Sequence, residues 1–72
     1  MNELRIYPAD LQAIHSGGRV GLCMRGCRVW AARQGIDWAG FVREGVAAET
    51  LLATGDPMAE AAVAVAKERE NG

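Results

Sequence analysis

Seventy-two residues with a net charge of −1 allow one small domain, read here as a single unit over residues 1–72. Half of them are apolar, but thirteen of those thirty-six are alanine, which favours helix while burying little area. The charge balance argues against a whole-domain nucleic-acid binder, and two cysteines are too few for a secreted disulfide framework.

Residues 3–7, Glu-Leu-Arg-Ile-Tyr, alternate apolar and polar well enough for a short strand. No second segment reads clearly as its neighbour, so it is expected to pair with another chain or stay an extended arm. Glu3 and Asp10 interrupt any apolar signal-peptide region, and the longest apolar runs fall far short of a membrane span. The expected setting is therefore a reducing cytoplasm or a particle assembled there, with no membrane association. Pro8 suits the first position of a helix that should stop near His15, before the Ser16-Gly17-Gly18 loop; Leu11 and Ile14 give it a small apolar face.

The centre of the chain is residues 23–44, two helices meeting at a tight corner. At 100° per residue, Cys23, Cys27, Trp30 and Ala31 fall on one face, with Arg25 and Arg28 opposite and Arg33 on the flank. Gly26 costs this helix about 1 kcal/mol against alanine, and either permits close backbone approach or marks a later helix start. Gly35 can end the helix in a left-handed conformation, and Asp37 can cap the next. That second helix carries Trp38, Phe41 and Val42 and stops at Gly45.

Residues 47–53 read as a further short helix bearing Leu51 and Leu52, closed by Gly55. Asp56-Pro57 then marks an N-cap followed by proline at the first helical position. The final helix runs to about Arg69, with Met58, Ala62 and Val65 on one face and Ala61 and Ala66 beside them. The expected fold is all-α, a small bundle of three to four short helices with a short N-terminal strand or extended arm. Its core is expected to contain Cys23, Cys27, Trp30, Trp38, Phe41 and Leu52.

Little catalytic chemistry is legible. Cys23 and Cys27 could offer two thiolates, but a structural zinc site needs four ligands and only His15 remains as a further strong candidate. Both cysteines read better as small buried hydrophobes, and neither metal nor cofactor is expected. His15 has no third group to orient it for a Cys–His nucleophile pair. There is no paired-carboxylate, phosphate-loop or H-E-x-x-H motif, so the chain is expected not to be an enzyme.

The charges are segregated. Between Asp10 and Asp37 lie four arginines and no acid, whereas residues 44–70 carry six acids against one lysine and one arginine. Such halves can pair within the molecule, between copies, or with a partner. The helix–turn–helix outline admits a DNA-binding alternative, but the second helix would expose little beyond Ala39, Arg43 and Glu44. Arg25, Arg28 and Arg33 read better as a partner-facing surface for carboxylates on another protein.

The runs Cys23-Met24-Arg25-Gly26, Arg28 with Trp30, Gly35-Ile36-Asp37-Trp38, Phe41, Gly45, Leu52-Ala53-Thr54-Gly55-Asp56 and Met58-Ala59 resemble a group of small proteins of tailed bacteriophages and prophages. The group includes Mu-like transposable phages of proteobacteria. The resemblance spans residues 8 to about 66; its pattern often has alanine at the position of Cys27 and a shorter connection than Ile14–Leu22. It implies a non-enzymatic phage accessory in the host cytoplasm or the virion, acting through contacts with phage structural proteins, a host protein or further copies of itself. A minor virion or tail component, or a tail-assembly factor, is the leading expectation. A small regulatory or host-protein-binding effector is the alternative. The resemblance carries no residue-level roles.

Overall fold

Capping chemistry sets most element boundaries in the computed structural model, which describes residues 3–14 and 21–71. The order is β1 (Arg5–Ile6), α1 (Pro8–Gln12), α2 (Met24–Arg33), α3 (Trp38–Glu44), β2 (Val46–Ala47), α4 (Ala48–Leu52) and α5 (Pro57–Asn71). This is a small helical bundle with a short N-terminal strand. Its five helical segments are the five read in chain order from the sequence, α1 and α4 being single short turns of five residues each. His15, the Ser16-Gly17-Gly18 loop and Arg19 lie outside the described residues.

The α2–α3 corner is closed by backbone hydrogen bonds. Gly35, at φ 73°, lets its own N–H reach Ala32 O at 3.1 Å and the Ile36 N–H reach Ala31 O at 2.9 Å. These are the paired bonds of a Schellman ending. Asp37 then accepts from the Gly40 N–H at 2.9 Å and starts α3. Three aromatic rings pack across this corner: Phe41 meets Trp30 at 6.4 Å and Trp38 edge-on at 5.9 Å between centroids. Phe41 and Trp30 are buried, and Trp38 is half-buried.

The N-terminal strand has its partner within the chain, contrary to expectation. β1 pairs antiparallel with β2, Arg5 opposite Ala47 and Ile6 opposite Val46, and the Ala48 N–H extends the pairing to Leu4 O at 3.0 Å. Two residues after a glycine are too few to show alternation, so β2 had no sequence signature. Gly45 makes the return possible. Its φ is 75°, and a Cβ there would lie 2.9 Å from Ile6 O and 3.0 Å from the Tyr7 ring.

Helix α5 packs against α1, α4 and β1. Its inward face is Ala59, Ala62, Val63 and Ala66, rotated about a quarter turn from the Met58–Ala62–Val65 face expected. Apolar residues surround most of this helix, so periodicity did not single out one face. Two core assignments are also corrected. Leu52 is 46% exposed while its neighbour Leu51 is fully buried. Cys23 is exposed because α2 starts one residue later, leaving it an extended N-cap whose thiol accepts from the Gly26 N–H at 3.4 Å.

The two ends of the described chain are tied by charge. Asp10, 3% exposed, takes the Arg69 guanidinium on both oxygens at 3.1 Å and the Tyr7 N–H at 2.9 Å. Arg69 also donates to Arg5 O at 2.9 Å, binding α5 to β1. The hydrogen bond to Asp10 is the chief cause that raises the Arg69 pKa above its ordinary value.

Phe41→Ala should remove the centre of the aromatic cluster and destabilise the chain by about 3–5 kcal/mol, read from the shift of the denaturation midpoint. An unchanged midpoint would mean that this ring is not the core. Gly45→Ala should cost at least about 1–2 kcal/mol from the left-handed backbone alone, with further loss where the new methyl meets Ile6 O.

Candidate functional site

The exposed side of α2 carries a run of like charge. No acid lies on this helix, and none of Arg25, Arg28 and Arg33 joins an ion pair among the described residues. The structure divides the three. Arg28 turns toward α3 and lies 5.6 Å from the Trp38 ring centre, a cation–π contact. Arg25 and Arg33 lie on the opposite flank with Val29 between them, a ridge with four-residue spacing.

Behind this ridge runs a second row at the same spacing, Leu22, Gly26 and Trp30. Together with Met58 and Asp56 at the start of α5, the two rows line an open groove of about 500 Å³. Gly26 leaves the middle of its row bare. The atoms nearest a Cβ there belong to Leu22 and Cys23, at 3.4 to 3.7 Å, so no other element comes close enough to need the glycine. Val29 is 50% exposed and Met58 half-buried, which gives the groove an apolar lining under an arginine rim.

Asp56 fixes the far wall. Its Oδ2 accepts from the Trp30 indole N–H at 3.0 Å and from the Ala59 N–H at 3.1 Å, so one carboxylate caps α5 and holds it against α2. Cys23 lies at the groove's end, exposed, while the Cys27 thiol is fully buried, 3.9 Å from Pro8 O and 3.8 Å from Leu22 O. Burial first, and the neighbouring Cys23 second, push the Cys27 thiol pKa up. Among the described residues no three His, Cys, Asp or Glu side chains gather as a metal site, and no helix is long and apolar enough to cross a membrane.

Reading the sequence grouped Arg25 with Arg28 and missed Val29, Met58 and the second role of Asp56. The four-residue spacing of Arg25, Val29 and Arg33 was a legible signal for the ridge. The approach of residues 56–58 to α2 had no local signal. On α3 the exposed residues are Ala39, Val42, Arg43 and Glu44, and Arg43 lies 4.0 Å from Glu44.

No family model matches this chain, and neither the curated proteins nor the solved structures give a match.

A thiol reagent should label one cysteine, Cys23, promptly in the folded protein and reach Cys27 only on unfolding. Equal rates at both would contradict the burial of Cys27. Because the folded Cys27 pKa is raised, its contribution to stability is complete below the unfolded thiol pKa and falls as pH rises beyond about 8.5. A Cys27→Ala variant should lose that alkaline decline in a pH series of melting curves. Gly26→Ala, placed in a helix with room for the methyl, should stabilise by about 0.5–1 kcal/mol and raise the melting temperature.

Proposed function

We propose that this chain is a non-enzymatic protein-binding component of a tailed bacteriophage, a minor virion or tail constituent or a tail-assembly factor. The observation that carries the protein-binding part is the α2 surface, where two arginines without ion pairs among the described residues border an apolar groove. Guanidinium groups pair well with carboxylates in a partly desolvated contact, and exposed apolar area beside them supplies the burial that charge alone does not. The phage part rests on the resemblance of residues 8 to about 66. The acids nearest the core support a structural use of charge: Asp10 is held by Arg69, and Asp56 by an indole and a helix start.

Duplex DNA is a poorer fit for this surface. The helix that would enter a groove, α3, has seven residues and carries one arginine beside an acid. The N-terminal strand, expected as a docking edge, is already paired with β2. The working location is the host cytoplasm during assembly, or the particle itself.

Deleting this gene from the phage and comparing particle yield, tail morphology and virion mass spectrometry with the parent tests the reading. A tail defect, with or without the chain in wild-type particles, supports it. Normal yield and tails with no trace of the chain in particles would overturn it in favour of a host-directed binder.

A further inference from the structure

The ridge on α2 has a counterpart elsewhere on the same molecule. On the outer side of α5, directly away from the buried Ala59–Ala62–Val63–Ala66 face, Glu60, Ala64 and Glu68 are exposed at the same four-residue spacing. Neither glutamate belongs to an ion pair among the described residues. The two stripes therefore read Arg–Val–Arg and Glu–Ala–Glu. Each places its charges eight residues apart, about 12 Å along a helix axis, with an apolar side chain midway.

We propose that the chain binds a second copy of itself, the Arg25–Val29–Arg33 ridge of one molecule lying along the Glu60–Ala64–Glu68 stripe of the other. The equal spacing lets both arginines meet glutamates at once. The small Ala64 leaves room for Val29, so the helices can approach closely between the two ion pairs. Both stripes are symmetric about their centres, and opposed helix dipoles favour the antiparallel arrangement. Sequence segregation of charge left three ways to pair the basic and acidic halves. Among the described residues these four charges do not bridge to one another, and the match in spacing selects pairing between copies. Lys67, exposed next to Glu68, is the opposing charge at this contact. The patch covers about two helical turns, so affinity between free copies is low and association grows where copies are concentrated, as in an assembling particle. This rests on the protein-binding reading and deepens it by naming the ridge's partner.

Sedimentation equilibrium at low salt, from about 10 µM to about 1 mM, should show the average mass rising above the 7.7 kDa monomer. Added salt should suppress the rise. Arg25→Glu with Arg33→Glu, and separately Glu60→Arg with Glu68→Arg, should each weaken association at least about tenfold. An equimolar mixture of the two variants should associate again, because each ridge then faces a stripe of opposite charge. Lys67→Gln should tighten association. All these positions are exposed, and circular dichroism confirms folding; the neutral Gln substitutions replace any reversal that melts. A wild-type chain that stays monomeric at about 1 mM in low salt would overturn the proposal, as would an oligomer indifferent to both reversals or a mixture that stays monomeric. A phage tail defect alongside a strictly monomeric protein would remove self-pairing and leave the protein-binding role standing.

Discussion

The bond from the Trp30 indole to Asp56 is where the helical corner and the long C-terminal helix become one structure. Trp30 belongs to the aromatic cluster with Phe41, so its position is set by the α2–α3 corner. Asp56 belongs to the start of α5, where the same oxygen receives the Ala59 N–H. A buried indole N–H needs an acceptor, and a helix N-terminus needs a cap; one carboxylate meets both needs and thereby fixes α5 against α2. The groove follows from that placement, since Met58 and Asp56 form its far wall.

The opposite side of the bundle is closed by a different device. An alanine-rich α5 lets α1 and α4 pack near its backbone but offers little area to hold them. Asp10 and Arg69 add a directed contact there, two hydrogen bonds of 3.1 Å with the carboxylate almost wholly buried. The Arg69 side chain remains 41% exposed, so solvent screens part of the attraction. Its specificity is the more secure consequence: Arg69 also reaches Arg5 O, and that register holds β1 beside β2.

The surface follows the same logic of unequal charge. Arginines nearest the aromatic corner divide between a cation–π contact on Trp38 and a ridge without acidic partners among the described residues. The proposed protein-binding role rests on this ridge and the groove it borders. At Gly26 a methyl would have room and would favour the helix, so packing does not require the bare position.

Local signals in the sequence determined the helices and most of their ends, though α1 closes at Gln12, short of the expected His15. The Gly35 turn, the Asp37 and Asp56 caps and the proline starts depend on residues within one turn of each other, and all are found where capping chemistry puts them. The aromatic corner was legible for the same reason, being confined to two adjoining helices. Tertiary structure decided what local chemistry leaves degenerate. Which of Leu51 and Leu52 turns inward, and which side of α5 is buried, depends on neighbours far along the chain, because an apolar run presents several equivalent faces. The pairing of β1 with β2 and the Asp10–Arg69 and Trp30–Asp56 contacts join segments from 26 to 59 residues apart. Their cost is loop closure and their gain is burial, and neither is written in the residues on either side.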